Sequence, residues 1–337
     1  MSARPLLELC SLSTHYVSAR GARVVRAVDD VSLRIDAGET LGIVGESGSG
    51  KSTLALTIQR LLPPAARITS GRILFDGEDL LQKSEAEMRH VRGKRIAMIL
   101  QDPMASLNPL FTIGDQVGES LRVHNGASRR SAWKRAHELL KNVRIPSPET
   151  RLRQHPHEMS GGMRQRIVGA IAISCGPRLL IADEPTTSLD LTIQAQYLAL
   201  LRDLQRAHGL ALIFITHNLG IVAKMCDQLA VMYAGRVVEA GPVRQLFKAP
   251  SHPYTKALLG SIPRMNDERK RLTAIDGHPP DLAAPPPGCA FGPRCSVAIE
   301  QCRHVAPPET SQGCGRTVRC WHSVHTAAAP MLTVPSP

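Results

Sequence analysis

The pattern of apolar and polar positions predicts an α/β protein. Residues 31–35 alternate apolar and polar side chains as a half-buried strand does, and residues 40–44 and 95–100 are short apolar runs. Beyond residue 160, predicted helices alternate with predicted strands: helix 162–175, strand 178–182, helix 192–207 and strand 211–216. Alternation of this kind predicts a parallel sheet with helices on its faces.

The pattern changes in two other parts of the chain. Residues 104–158 contain polar, helix-compatible segments and no clear strand, which predicts a helical insertion. Near residue 245 the alternation ends, and residues 277–293 are rich in proline and glycine. The final residues, 325–337, are rich in Ala, Pro, Ser and Thr, and we expect a disordered tail there. These changes predict one domain over 1–245 and a second over 246–324.

Composition narrows the class of protein. Of the 337 residues, 43% are hydrophobic and 3% aromatic, so we expect about two domains and a mainly aliphatic core. The formal net charge is +12, but the basic residues are scattered without interleaved aromatics, which favours a solvated surface over a nucleic-acid site. No run approaches the ~20 apolar residues of a membrane span, and no signal peptide is visible, so we expect a cytoplasmic protein.

Residues 45–52 match the phosphate-binding pattern G-x-x-x-x-G-K-[ST] in full, between a predicted strand and a predicted helix over 52–62. Glycines let backbone N–H groups surround a phosphate, and the helix points its positive end at the same group. Lys51 supplies a cation to the β and γ phosphates, and the Ser52 hydroxyl is a Mg²⁺ ligand. A chance match has a probability on the order of 1%. The candidate nucleotide contacts of this loop are Gly45, Glu46, Ser47, Gly48, Ser49, Gly50, Lys51, Ser52 and Thr53.

Two carboxylates follow a later apolar strand. A buried strand excludes carboxylates, so Asp183 and Glu184 are expected at its C-terminal tip, where ligands bind in open α/β sheets. Asp183 suits Mg²⁺, and Glu184 suits the group that orients the attacking water. Gln101 and His217 also follow apolar strands and are candidates for contacts to the γ-phosphate. A surface acid pair is the alternative, which the complete phosphate loop upstream disfavours.

The segment around Ser160 predicts a second anion site. Ser160 is a good helix N-cap, and Gly161 and Gly162 expose backbone N–H groups at a helix start. An ordinary capped helix would not explain Ser-Gly-Gly followed closely by Arg-Gln-Arg. One helix of ~12 residues, ~18 Å long, lies between this cap and Asp183. We therefore expect the cap to bind a nucleotide held by a partner subunit.

Together these segments resemble the motifs of ABC-transporter ATP-binding subunits. Residues 1–245 carry, in that family's order, matches to its Walker A, Q-loop, signature, Walker B, D-loop and H-loop motifs: 45–52, Gln101, 160–165, 179–184, 188–190 and His217. The resemblance implies a P-loop NTPase of ABC type: a mostly parallel RecA-like sheet with helices on both faces, an N-terminal antiparallel β subdomain, and a helical subdomain at about 104–165. A soluble ABC-type ATPase acting on nucleic acid is less favoured, because neither a long coiled-coil insertion nor a second cassette is visible.

The resemblance also implies roles for individual residues. It implies a head-to-tail dimer with two ATP molecules, each held between the phosphate loop of one subunit and the Ser160 segment of the other. In that family, an aromatic matched by Tyr16 stacks on adenine, Gln101 contacts Mg²⁺ and His217 contacts the γ-phosphate. Asp190 matches a residue that lines the dimer interface. Two mild departures from the family pattern are Met159 for the commoner Leu and Ser188 for the commoner Ala.

Residues 246–324 resemble the C-terminal extension of oligopeptide/dipeptide importer ATPases, beginning with the segment 252–258. Residues 162–166 also resemble one of the two ATPase types of those importers. The resemblance implies peptide import, with a second ATPase subunit, two membrane permeases and an extracytoplasmic solute-binding protein as partners. It places the chain at the cytoplasmic face of the membrane as a peripheral subunit. The cargo remains open between peptides, nickel and another small solute.

Four cysteines in this extension form a spacing of C-x5-C-x6-C-x17-C: Cys289, Cys295, Cys302 and Cys320. Four thiolates within about 30 residues suit either a [4Fe–4S] cluster or zinc, but zinc sites favour cysteine pairs two to four residues apart. The spacing also matches the cysteine pattern of the peptide-importer group, in which a [4Fe–4S] cluster is known, and this favours iron–sulfur over zinc or free thiols. The remaining Cys10, Cys175 and Cys226 are expected to be buried core thiols.

Overall fold

The computed structural model describes residues 4–18, 23–187, 189–262 and 275–323. The chain divides into two compact units. The first unit consists of Met1–Glu8, Arg34–Leu41 and Arg72–Thr216. The second unit consists of Leu9–Leu33, Gly42–Gly71 and His217–Pro337. The predicted disordered tail and Ser188 lie outside the described residues, and the domain boundaries from sequence stay a prediction.

The secondary structure alternates between strands and helices through most of the chain. The strands are β1 (Leu7–Val17), β2 (Val24–Ile35), β3 (Thr40–Val44), β4 (Ala66–Phe75), β5 (Glu78–Asp79), β6 (Ile96–Ile99), β7 (Leu179–Asp183), β8 (Ala211–Ile215), β9 (Gln228–Tyr233), β10 (Arg236–Pro242), β11 (Thr310–Gly313) and β12 (Arg316–Val318). The helices are α1 (Lys51–Ile58), α2 (Glu85–Val91), α3 (Pro103–Ser106), α4 (Ile113–Asn125), α5 (Arg129–Asn142), α6 (Pro148–Arg151), α7 (Gly161–Ile173), α8 (Leu191–His208), α9 (Leu219–Met225), α10 (Val243–Lys248), α11 (Pro253–Gly260) and α12 (Gln301–His304).

The first unit contains the parallel sheet that the apolar runs predict. Strands β6, β7 and β8 lie side by side in that order and pair in parallel, with Ile96 opposite Leu179 and Leu179 opposite Ala211. Every residue of β7 and β8 is buried. Strands buried on both faces are continuous apolar runs, so the prediction of parallel strands here is confirmed.

The predicted helical insertion is present in the first unit as helices α3 to α6, and no strand occurs in the described residues between 104 and 158. Thr112 is the N-cap of α4, where its side chain accepts the N–H of Asp115, and Gly126 is the C-cap in a left-handed conformation. Gly118 of α4 lies against Ala132 of α5, where an added Cβ would be 3.5 Å from the alanine methyl. The two caps therefore set the ends of α4, and the contact between small residues lets α4 and α5 pack closely.

In the second unit, sheet order is β11-β12-β10-β9-β3, and the pairs β9–β10, β10–β12 and β11–β12 are antiparallel. The unit also contains β2, β1 and the first part of β4, adjacent in that order. Strands β11 and β12 come from the C-terminal extension, for which the sequence predicted no strands. The extension therefore shares a sheet with β9 and β10 and forms one body with them.

The core is largely aliphatic, as the composition predicts, but its largest fully buried side chains are aromatic. In the second unit, Tyr233, Tyr254 and Phe291 form a ring cluster with centroid separations of 4.6 to 5.3 Å. This cluster shares a buried core with Val44, the last residue of β3. Aromatic pairs at such distances contribute about 0.5–1.5 kcal/mol each beyond burial.

Two local predictions differ from the structure. Helix α1 ends at Ile58 and does not continue to residue 62, since Arg60 adopts a left-handed φ of 52° that no helix continues through. Cys10, Cys175 and Cys226 are partly exposed and not fully buried. Within the described residues, no helix combines the length and the apolar character that crossing a membrane requires.

Candidate active site

The phosphate-binding pattern forms a loop between β3 and α1 in the second unit. Gly50 is the N-cap of α1 with φ 100° and ψ 1°, a conformation that favours glycine. A Cβ on Gly50 would lie 2.0 Å from the carbonyl oxygen of Ala27, and one on Gly45 would lie 2.2 Å from that of Met232. Only glycine fits at either position, so neighbouring backbone fixes the shape of this loop.

Lys51 is the first residue of α1 and is 7% exposed. Its Nζ donates to the carbonyl oxygens of Gly45 at 2.9 Å and Glu46 at 3.0 Å, and to the hydroxyl of Ser49 at 3.4 Å. The ammonium group is therefore held over the loop. Helix α1, which the structure describes throughout, has no acidic residue in its first turn and no side-chain cap. Its first N–H groups and Lys51 fit the negative charge of a phosphate.

Other candidates of the second unit lie beside the same helix or at the end of a strand. Tyr16 is half-buried at the end of β1, and its hydroxyl lies 3.4 Å from the hydroxyl of Thr53. Ser52 is exposed on the first turn of α1. His217 is exposed, and the following Asn218 caps α9 by accepting the N–H groups of Gly220 and Ile221.

The first unit carries the two carboxylates. Asp183 is the last residue of β7 and is 4% exposed, so the predicted position at the tip of a strand is observed. Glu184 follows with a φ of 44°, in the left-handed region that non-glycine residues rarely adopt. Its Oε2 accepts the hydroxyl of Thr187 at 2.9 Å and lies 3.5 Å from Nε2 of Gln101. The structure thus brings Gln101 and Glu184 together. Both were predicted from the sequence to follow apolar strands and to act on the same nucleotide.

The first unit also carries the Ser160 segment. Ser160 is the N-cap of α7, and its Oγ accepts the N–H of Met163 at 3.4 Å, as predicted. Ser160 and Gly161 are exposed. A Cβ on Gly162 would lie 2.7 Å from the Ile193 side chain, so glycine lets the starts of α7 and α8 approach. Asp190 caps α8, and its Oδ1 accepts the N–H groups of Thr192 and Ile193 at 3.0 Å each.

The four cysteines of the predicted cluster site lie in the second unit. Cys302 and Cys320 are buried, whereas Cys289 and Cys295 are half-buried, and the N–H of Cys289 donates to the carbonyl of Cys302 at 2.8 Å. Burial, together with the nearby Cys302 and Cys320, raises the pKa of the Cys289 thiol to about 11. Among the described residues, no group of three or more His, Cys, Asp or Glu is arranged to hold a metal ion.

The chain matches known proteins along nearly its whole length. It is 52% identical over 298 residues to the dipeptide transport ATP-binding protein DppD of Bacillus subtilis, covering 88% of this chain and 89% of that protein. It is 46% identical over 319 residues to the oligopeptide transport ATP-binding protein OppD of Haemophilus influenzae, covering 95% and 98%. The chain belongs to the oligopeptide/dipeptide family of ABC-transporter ATP-binding proteins. This confirms the resemblance drawn from the sequence motifs.

Family models match the two parts of this ABC protein separately. The model described as ABC transporter matches residues 28–187, and the one described as the C-terminal region of oligopeptide/dipeptide transporters matches residues 238–302. Among solved structures, a dimeric post-hydrolysis state of the ATP-binding cassette MJ0796, bound to ADP and Pi, has a TM-score of 0.63 and 28% identity. That alignment covers 71% of this chain and 99% of the cassette. The fold of an ABC-type P-loop ATPase is therefore confirmed.

Sequence reasoning missed two residues of this ABC protein that contact the phosphate loop. Arg294 and Tyr254, both from the C-terminal extension, hydrogen-bond to Glu46 of the loop. They lie 248 and 208 positions away from Glu46 in the chain. No local pattern or spacing connects residues so far apart, and only the fold of the second unit reveals the contact.

Proposed function

We propose that this chain is the ATP-hydrolysing subunit that powers peptide uptake through a membrane ABC importer. The observation that carries the proposal is the complete phosphate-binding loop, with buried Lys51 held over it, in a chain 52% identical to a dipeptide transport ATP-binding protein. Import of nickel or another small solute, and action on nucleic acid, are not favoured, because the names of these relatives specify peptide transport.

Hydrolysis of ATP is mainly a problem of positioning and of charge neutralisation. We infer that the N–H groups of the loop and Lys51 bind the phosphates, and that Tyr16 stacks on adenine. Ser52, Gln101 and Asp183 would hold Mg²⁺, which would neutralise negative charge on the phosphates when bound. Glu184 orients the attacking water, because its carboxylate is half-buried and fixed by Thr187 beside Gln101. His217 contacts the γ-phosphate.

We infer further that the working form is a dimer of ATPase subunits, identical or unlike. The Ser160 cap is exposed at the start of α7, and the similar cassette MJ0796 was solved as a dimer with ADP and Pi. In this proposal Ser160, Gly161 and Gly162 of one subunit contact the ATP held by the loop of its partner. Asp190 lies in the interface. Two permeases and an extracytoplasmic solute-binding protein complete the importer, with this chain on the cytoplasmic face of the membrane.

The experiment that tests the function is reconstitution of the full chain with its permeases and partner ATPase in proteoliposomes. Addition of a peptide-loaded binding protein should stimulate ATP hydrolysis several-fold and move labelled peptide across the membrane. Nickel-loaded binding protein is the matched control and should give no stimulation. Stimulation by nickel and not by peptide would reassign the cargo, and hydrolysis activated by nucleic acid alone would reject a transport role.

The four cysteines of the C-terminal extension are the candidate ligands of an iron–sulfur cluster. Cys289, Cys295, Cys302 and Cys320 supply the four thiols that a [4Fe–4S] cluster uses. Cys289 and Cys302 lie near each other, since the N–H of Cys289 donates to the carbonyl of Cys302 at 2.8 Å. We propose that they bind such a cluster after rearrangement of the thiols. Protein purified without oxygen should then be brown, with iron and sulfide bound. Colourless protein containing about one zinc per chain would reject the cluster.

A further inference from the structure

The second residue of the phosphate loop is a glutamate, which poses an electrostatic problem. Glu46 is half-buried between Gly45 and Ser47, within the segment whose backbone is proposed to bind the phosphates of ATP. Like charges that lie close together repel strongly where water is partly excluded. A bare carboxylate at this position would weaken phosphate binding, so its charge needs a partner supplied by the fold.

Arg294 supplies that partner through two parallel hydrogen bonds. Its Nη1 donates to Oε2 of Glu46 at 2.8 Å, and its Nη2 donates to Oε1 at 3.1 Å. The Arg294 side chain is 6% exposed and that of Glu46 is 25% exposed, so the pair is largely shielded from water. Paired guanidinium and carboxylate groups of this geometry fix orientation as well as charge, which a lysine does not reproduce.

Arg294 is itself anchored on the extension. Its Nε donates to the carbonyl of Asp276 at 2.8 Å, and its Nη2 also donates to that of Ile275 at 3.2 Å. Its Nη1 also lies 3.2 Å from the hydroxyl of Tyr233. These bonds use the remaining donors of the guanidinium and leave it little freedom to follow a moving loop. The position of Glu46 is therefore set by the extension.

Tyr254 holds the backbone of the same loop residue. The Glu46 N–H donates to the Tyr254 hydroxyl at 2.9 Å, and Tyr254 is fully buried. Its ring packs against Tyr233 and Phe291, with centroids 4.6 and 5.3 Å away. The hydroxyl is thus presented from a rigid aromatic cluster. Both the charge and the backbone of Glu46 are held by groups from the C-terminal extension.

We propose that Arg294 and Tyr254 are positioning residues that set the shape of the phosphate-binding loop, so that ATP affinity depends on the C-terminal extension. The proposal rests on the proposed function only in that the loop binds ATP. Neither residue touches the nucleotide in this scheme. Each acts through Glu46, by neutralising its carboxylate and by fixing its N–H, which keeps the neighbouring N–H groups directed at the phosphates.

The test measures equilibrium binding of Mg-ATP to the full chain, together with KM and kcat of the reconstituted importer. Arg294→Lys keeps the charge but loses the paired geometry, and Arg294→Gln removes the charge. Both should weaken ATP binding and raise KM about tenfold while kcat changes less than about twofold, the pattern expected when ground-state and transition-state binding are lost equally. Glu46→Gln combined with Arg294→Gln should weaken binding far less than the product of the two single effects, because the two groups act as a pair.

A matched control uses another arginine–carboxylate pair of the same unit. Arg23 donates to both carboxylate oxygens of Asp281 at 3.1 and 2.9 Å, but both side chains are more than half exposed. Asp281→Asn should leave ATP affinity within about twofold of the wild type, as expected for a surface pair. If Arg294→Gln does not fold, the test rests on Arg294→Lys.

Folded Arg294→Lys and Arg294→Gln variants that bind ATP within twofold of the wild type would overturn the proposal while leaving the ATPase assignment intact. The assignment itself would fail on a different result, namely wild-type protein and Asp281→Asn that both bind no ATP. A tenfold loss in the Arg294 variants that is largely relieved in the double variant supports the dependence of the loop on the extension.

Discussion

The two units differ in how their glycine-containing loops are built. In the second unit, the phosphate-binding loop is enclosed: Cβ atoms added to Gly45 or Gly50 would lie about 2 Å from backbone oxygens, and side chains of the extension hold Glu46. In the first unit, the Ser160 cap is exposed, and a Cβ built on Gly161 would meet no described atom within 4 Å outside its chain neighbours and the backbone of its own helix. The phosphate-binding loop is thus shaped by contacts within its own unit, whereas the Ser160 cap is exposed and makes few such contacts.

This difference assigns different tasks to the two regions under the proposed function. A loop whose shape is fixed before binding loses little entropy when phosphate arrives, so it suits tight binding by a single subunit. An open cap contributes binding only when a second surface closes on it. In the same proposal, the first unit also carries Glu184, which orients the attacking water and is needed for turnover and not for holding ATP. Variants in the two units should therefore separate binding from hydrolysis.

The largest effect is expected from Glu184→Gln. The substitution keeps the size of the side chain but removes the carboxylate that orients water, so kcat should fall about a thousandfold, within the usual range for a lost general base. ATP binding should be retained, and dimers should accumulate with ATP, as size-exclusion chromatography can measure. Glu149→Gln, at an exposed carboxylate on α6, is the control and should hydrolyse ATP normally. Wild-type turnover in Glu184→Gln would exclude this role for Glu184.

A loss of binding of at least about a hundredfold is expected from Gly50→Ala. The new methyl group would meet the Ala27 carbonyl oxygen at 2.0 Å, and φ at 100° would be strained, so the loop must move. Gly176→Ala is the matched control, because its φ of 67° is strained as well but its surroundings are open among the described residues. Calorimetry with Mg-ATP measures both. Equal affinity of the two variants would show that the enclosure of the loop is unimportant.

A smaller and selective effect is expected from Gly161→Trp. Because the position is open, the variant should fold and bind ATP as a single subunit, while ATP-dependent dimerisation and hydrolysis fall about fiftyfold. Gly260→Trp, at another exposed and open glycine, controls for adding an indole to the surface. Full hydrolysis by Gly161→Trp, or by a strictly monomeric enzyme, would contradict the proposed contact between the Ser160 cap and a partner's nucleotide.

The sequence predicted those parts of the fold whose causes are local. Strand β7 and the Ser160 cap follow from an apolar run and from a hydroxyl placed before a helix, so pattern alone locates them. The phosphate loop was equally predictable, because its glycines are required by the local backbone conformation of the loop. Helix α1 was overestimated, since the left-handed turn at Arg60 precedes the prolines that were expected to end it.

What the sequence could not provide depends on distant contacts. Strands β11 and β12 are short, and β11 is mostly exposed; β12 forms because β10 offers an edge to pair with, and β11 pairs with β12 in turn. The Arg294–Glu46 pair joins residues 248 positions apart in the chain, and no sequence pattern connects their segments. The pKa of His252 could not be predicted from the sequence either, because it depends on the burial of this side chain in the folded protein. Its position yields a prediction about acid stability that bears on the enclosed loop.

The smallest expected effect is a loss of stability in mild acid through His252. This side chain is 1% exposed, and burial lowers its pKa to about 3, from about 6.5 in the unfolded chain. Its Nδ1 accepts the N–H of Tyr254 at 3.0 Å and so caps the helix that presents Tyr254 to Glu46. Between pH 6.5 and 3 only the unfolded chain binds the proton, so the stability contribution of His252 is complete above pH 6.5 and is lost as pH falls.

Between pH 7 and pH 5 this loss should amount to about 2 kcal/mol, at about 1.4 kcal/mol per pH unit below 6.5. Urea unfolding of the wild type and of His252→Asn at both pH values measures it. The asparagine can still cap α11 but does not titrate, so the pH dependence should become flatter by about that amount. His278→Asn removes an exposed histidine and should keep the wild-type slope. An unchanged slope in His252→Asn would mean that His252 is protonated at pH 5 in the folded protein. The helix cap next to Tyr254 would then be more mobile than the burial of His252 indicates.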